Sequence, residues 1–130
     1  MKRVQYAYGK GHMVASHTWD HADLTTLNST QITAELQKNE LAFQRLLGVT
    51  PAFLRPPYGN YNNLSRQIAA ERGYKMVTWD FDSGDSTGST AAQSNAAYDA
   101  LVKQHPSTIL ALNHETYSEL PVFRVPIEQV

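Results

Sequence analysis

Ser16-His17-Thr18-Trp19-Asp20-His21 sets two histidines four residues apart. On a helical turn that spacing puts both imidazoles on one face, where they can grip one divalent metal. Imidazole suits zinc, copper, iron, nickel or cobalt, so the pair does not choose the metal. Taken alone it also reads as two unrelated polar histidines. Three further polar clusters follow in order: Arg55-Pro56-Pro57-Tyr58-Gly59, Trp79-Asp80-Phe81-Asp82-Ser83-Gly84-Asp85 and Leu112-Asn113-His114-Glu115. Each stands next to a predicted strand.

Around these clusters the periodicity alternates between strand and helix. Residues 4–10 read as the end of a helix, with Gly9 and Gly11 as terminators. The short apolar run 12–15 predicts a strand leading into the histidine pair. Residues 25–30 are a polar connection. Thr30 is placed to cap a long helix over 31–47, with Ile32, Leu36, Phe43 and Leu47 on one face and Gly48 at its end. Residues 51–55 predict a short strand that Pro56 and Pro57 break, and 58–60 a turn. A helix is expected over 64–72, closed by Gly73, and a strand over 74–81. A loop over 82–89, a helix over 91–104 and an apolar strand over 108–112 complete the pattern. Such alternation with short connections predicts a parallel α/β sheet or barrel. Residues 121–130 lack a clear period and read as a docking tail.

Composition narrows the class. The chain has 130 residues, 42% hydrophobic and 18% charged, the balance of one ordinary globular domain. A net charge of −1 gives no basic field for nucleic acid or an anionic membrane surface. No apolar run approaches the ~18 residues a spanning helix needs, and Met1-Lys2-Arg3-Val4 is not followed by a signal-peptide core. With no cysteine, disulfides and thiolate metal sites are excluded. Asn28-Ser29-Thr30 and Asn63-Leu64-Ser65 match the glycosylation acceptor pattern, which matters only in a secreted protein.

Parallel α/β folds gather their active sites at the C-terminal ends of the strands. The four clusters fall where those ends are expected. Each has a plain alternative. Arg55 reads also as a surface arginine, Asp82 and Asp85 as turn-shaping residues, and His114 as a satisfied core histidine. Four clusters at successive strand ends argue against four independent accidents.

Those clusters resemble the motifs of the polysaccharide deacetylases of the NodB-homology type, carbohydrate esterase family four, with the fungal chitin deacetylases nearest in character. His17-Thr18-Trp19-Asp20-His21 is similar to that family's metal-binding His-[Ser/Thr]-x-x-His. Arg55-Pro56-Pro57-Tyr58 is similar to its Arg-x-Pro-Tyr wall. Asp82-Ser83-Gly84-Asp85 resembles its Asp-x-x-Asp-Trp segment, and Leu112-Asn113-His114 its Leu-x-His segment. The likeness runs from about residue 7 to 117 of a single domain over 1–130.

The resemblance implies a partial distorted (β/α) barrel of mainly parallel strands, and hydrolysis of the acetamide on N-acetylglucosamine polymers such as chitin. It implies that His17 and His21 bind a divalent metal: zinc, with cobalt or nickel as alternatives. Arg55 would orient the catalytic base and His114 would act as general acid, its imidazole held by Asp85. Tyr58 would offer a backbone N–H to the oxyanion. Leu112 would line the pocket for the acetyl methyl, with Pro57 and Trp79 also on the substrate side. The chemistry is coherent: a metal polarises an amide carbonyl, a donor stabilises the developing oxyanion, and a histidine beside a carboxylate can protonate the leaving amine. By the same resemblance the protein acts outside the cell or at the cell wall.

Two departures set further expectations. The family's Thr-Phe-Asp-Asp-Gly, which supplies the base and a third metal ligand, is absent from these residues, and Ser86 stands where the family has tryptophan. The expectation is therefore a barrel lacking its beginning and some of its end. Its metal would be weak or absent and its turnover slight or nil, and it would self-associate to cover exposed apolar surface. A glycan-binding, lectin-like relative and a purely structural interaction protein are the competing readings.

Overall fold

The computed structural model of the chain describes residues 2–114. They divide into two compact units, before and after the Thr78–Trp79 bond. The expected docking tail over 121–130 lies outside the described residues.

The first unit opens on α1, Lys2–Gly9. Its end is a left-handed Gly11 at φ +83°. The N–H of Gly11 donates to Tyr8 O at 3.0 Å and that of His12 to Ala7 O at 3.1 Å, so the helix stops on the paired bonds typical of a glycine terminator. Residues 12–15 are not the strand expected of them. An apolar run signals burial but does not supply a neighbour to pair with, and Met13 is in fact exposed. Pairing begins only at Ser16, which bridges Leu54 in parallel. Its N–H donates to Phe53 O at 2.9 Å and its carbonyl accepts from Arg55 N–H at 3.0 Å.

The long helix α2 spans Ser29–Leu47. Asn28, not Thr30, caps it: its side chain accepts from Gln31 N–H at 3.0 Å and its own N–H donates to Gln31 Oε1 at 3.0 Å. The expected face is buried at Ile32, Leu36 and Phe43, and Gly48 ends the helix at φ +71°. Strand β1, Phe53–Leu54, runs parallel to β2, Lys75–Met76, with Phe53 opposite Lys75 and Leu54 opposite Met76. Between them α3, Asn63–Glu71, makes the crossover and packs on α2 and β2, as a parallel pair requires. Leu24, Ile32, Leu36, Leu54, Ile68, Ala69 and Tyr74 form one core cluster. Each fully buried leucine or isoleucine there contributes about 1.5–3 kcal/mol.

The strand expected over 74–81 is interrupted. Val77 N–H still donates to Leu54 O at 2.9 Å, whereas Asp80 N–H donates to Leu110 O at 3.0 Å. The chain changes partner in between, and a run of branched and aromatic residues carries no mark of that change. In the second unit β3, Phe81–Asp82, pairs in parallel with β4, Ala111–Leu112. The intervening helix α4, Ala91–Lys103, is capped by Thr90 in a reciprocal box with Gln93. The expected strand over 108–112 shrinks to β4, with Ile109 and Leu110 exposed. Among the described residues no helix is long and apolar enough to cross a membrane.

Candidate active site

In the first unit, two parallel segments end side by side. Ser16 leads into His17, and Leu54 of β1 leads into Arg55. The imidazole Nδ1 of His17 lies 2.6 Å from the Arg55 carbonyl oxygen. A carbonyl only accepts, so Nδ1 carries the proton and Nε2 holds the ring's lone pair, the tautomer in which an imidazole can ligate a metal. The rings of His17 and His21 stand 4.8 Å apart, edge to face at 75°. His21 meets the Tyr58 ring with the same separation and angle.

The pair meets by a route the spacing did not show. The histidine stretch is a loop, not a helical turn. Thr18 at φ +66° and His21 at φ +55° are both left-handed, a conformation that crowds Cβ and costs about 1–3 kcal/mol in a side-chain-bearing residue. The loop is fastened from α2. Glu35 Oε2 accepts from Trp19 N–H at 3.0 Å and from Asp20 N–H at 2.8 Å. Asn39 Nδ2 donates to Thr18 O at 2.8 Å. Neither residue was singled out by motif, although a charged and an amide side chain on the buried face of α2 are a signal that helical spacing exposes. Lys38 reaches Asp20 at 3.7 Å with both side chains half exposed, an ion pair that contributes little.

Past the pair, Asp23 accepts from Thr25 N–H at 2.9 Å, Thr25 Oγ1 at 2.7 Å and Asn60 Nδ2 at 2.7 Å. The Thr25 hydroxyl, then Asn60, then the Thr25 N–H hold the Asp23 carboxyl below its ordinary value. The bond to Asn60 ties this loop to the turn Pro57–Gly59. In that turn Pro57 is fully buried, while Tyr58, left-handed at φ +59°, is 64% exposed. Tyr58 is the second residue of the turn, where a backbone N–H has no partner further up the helix. Burial lowers the pKa of Arg55. Its guanidinium makes no hydrogen bond or ion pair within the described residues.

Imidazole nitrogen suits a divalent transition metal, and two facing rings with one tautomer set by a carbonyl fit two positions of such a site. Among the described residues no group of three or more histidine, cysteine or carboxylate side chains is gathered.

The second unit holds an aspartate–histidine pair. Asp85 follows β3 and His114 follows β4. His114 Nδ1 lies 2.9 Å from Asp85 Oδ1, and His114 N–H donates to Asp85 Oδ2 at 2.5 Å. The Asp85 side chain is 1% exposed against 25% for His114. Burial pushes the Asp85 carboxyl up. The His114 side-chain and backbone bonds, the His114 charge and the Ser86 N–H together outweigh it, and the net shift is downward. The loop that presents Asp85 is pinned on both sides: Ser83 Oγ donates to Leu112 O at 2.8 Å and Ser94 Oγ to Ser83 O at 2.8 Å. Asp82 is exposed and shapes the turn, accepting from Gly84 N–H at 2.8 Å. Leu112 is buried and Trp79 half-buried. A histidine with Nδ1 on a buried carboxylate is oriented to move a proton at its other nitrogen.

The structure thus joins His17, His21, Arg55 and Tyr58 in one unit and Asp85 with His114 in the other. Known proteins are similar over much of the chain. Chitin deacetylase 1 of Cryptococcus neoformans var. grubii is 33% identical over 134 residues, covering 89% of this chain and 28% of that protein. The chitin deacetylase of Amylomyces rouxii is 40% identical over 88 residues, 63% of this chain and 21% of that one. The chain therefore spans less than a third of either relative's length. Among solved structures, the family 4 carbohydrate esterase from Streptomyces lividans in complex with acetate is similar, with a TM-score of 0.76, 29% identity, and coverage of 87% of this chain and 57% of that one. The fold is accordingly part of the distorted (β/α) barrel of that family. Residues 1–77, which include the histidine pair and the arginine–tyrosine turn, match the family model for polysaccharide deacetylase, and with more than half of its length so matched the chain belongs to the polysaccharide deacetylase family.

Proposed function

We propose that the chain is part of a metal-dependent hydrolase domain that removes N-acetyl groups from N-acetylglucosamine polymers such as chitin, outside the cell or at the cell wall. The observation that carries this reading is the His17–His21 pair, facing at 4.8 Å with His17 oriented by the Arg55 carbonyl. The chitin deacetylase relatives support the substrate class. A zinc, cobalt or nickel ion bound there would supply Lewis-acid polarisation of the amide carbonyl and an activated water. The Tyr58 N–H donates to the oxygen on which negative charge develops. His114, held by Asp85, gives its proton to the departing amine nitrogen. Arg55 orients a carboxylate base. Leu112 receives the acetyl methyl, with Pro57 and Trp79 on the substrate side.

Acetate release from chitin oligomers by the 130-residue chain with added zinc tests this. Slow release that His114→Ala lowers about 10²–10⁴-fold is the expected result, and no release at any metal loading counts against it. The second reading, a non-catalytic glycan-binding relative, is favoured by the exposure of Trp19, Tyr58 and Tyr61, since aromatic faces line sugar and other ligand sites. Oligomer binding without acetate release would select it. The same proposal includes self-association, supported by the exposed Ile109 and Leu110. Sedimentation that depends on concentration is expected, and a monodisperse 14.5 kDa species at high concentration would exclude it.

A further inference from the structure

Helix α2 turns Ile32, Leu36 and Phe43 into the core, and Glu35 is buried with them at 6% exposure. A carboxylate is costly to bury unless its oxygens are satisfied. Glu35 spends one oxygen on two adjacent backbone N–H groups, those of Trp19 and Asp20. One helical turn further on, Asn39 donates to the carbonyl of Thr18. Three consecutive residues between His17 and His21 are therefore each fastened to a single turn of α2 through the backbone. The fastened stretch begins with Thr18, a β-branched residue at φ +66°. Such a residue stays left-handed only when its surroundings over-determine it. The His17 and His21 rings that flank the stretch stand 4.8 Å apart.

We propose that Glu35 and Asn39 are positioning residues for the histidine pair: they hold the strained loop that sets the two imidazoles face to edge. The inference rests on reading that pair as a metal grip, but the geometry itself can be measured without metal. Substituting groups that orient metal ligands typically weakens metal binding about tenfold to a hundredfold.

The test uses the full 130-residue chain and two readouts. One is the nuclear Overhauser contact between His17 and His21 ring protons without metal. The other is cobalt(II) affinity by titration. Glu35→Leu is expected to lose the ring contact and to bind cobalt about tenfold more weakly or worse. Asn39→Ala should move both in the same direction by less. Glu35→Gln keeps the volume and one accepting oxygen, and should retain both. Ile32→Val lowers the denaturation midpoint through the core alone and should leave both readouts unchanged, which separates positioning from general stability. If Glu35→Leu does not fold, Asn39→Ala carries the decision. Ring contact and affinity unchanged in the folded variants would overturn the proposal, as would a parent chain without the contact. A parent with the contact but no cobalt binding would instead refute the metal reading, and the contact measured across the variants would still decide the positioning role.

Discussion

Asp85 accepts two hydrogen bonds from one residue, the backbone and the imidazole of His114, while its side chain is almost wholly shielded from water. Its net shift lies below the ordinary value of 3.8. A carboxyl held low in the fold takes up its proton less readily there than in the unfolded chain, so its ionised form stabilises the native state. That contribution is complete above the unfolded value and is lost as the pH falls through the folded one. Asp85→Asn removes it. The drop in urea midpoint between about pH 6 and about pH 3 should therefore be smaller in the variant than in the parent. Equal drops in the two proteins would mean that the Asp85–His114 contact carries no net charge stabilisation. At this scale the motifs mark residues that stand just past paired segments: His17 follows the Ser16–Leu54 bridge, Arg55 follows β1, Asp85 comes after β3 and His114 after β4. Glu35, Asn39 and Asp23 were less visible, because they act on backbone groups whose direction depends on left-handed residues such as Thr18.

At the scale of elements, the reciprocal boxes at Asn28–Gln31, Asn62–Ser65 and Thr90–Gln93 fix where three helices begin. In the first, Asn28 and Thr30 compete by type for the cap, and the hydrogen bonds settle it on Asn28. Asn28→Ala is expected to cost about 1 kcal/mol, while Thr30→Ala, already inside the helix, should change stability by less than about 0.5 kcal/mol. Denaturation midpoints of the two variants check this, and an equal loss from both would contradict the assignment. Helices were legible to within two residues because capping and the buried stripe are local properties. Strands were not. Phe53 pairs with Lys75 and Phe81 with Ala111, partners that no local period names. The loss of residues 12–15, 77–80 and 108–110 from the expected strands has this single cause. The histidine loop failed for a related reason: spacing of four fits a helix, but Glu35 and Asn39 stabilise a different backbone.

At the scale of the whole molecule, the histidine pair belongs to the unit before Thr78–Trp79 and the Asp85–His114 pair to the unit after it. Whether both serve one reaction is a question of energetic coupling, and coupling has a kinetic signature. Groups that act on the same transition state are not additive: once one is removed, removing the next costs little more. Groups in independent events lose activity multiplicatively. Two imidazoles are one short of the usual three protein ligands of a catalytic metal, so turnover of the 130-residue chain should be slow and acetate release must be followed over long incubations. Loss of an acid–base group typically costs about 10²–10⁴-fold, and His114→Ala should fall in that range. His17→Ala should cost at least as much. The expected result for the double variant is a rate close to the slower single variant rather than the product of the two losses. Multiplicative losses would show that the two pairs do not share a transition state, and the single-reaction reading of this chain would fail on that measurement.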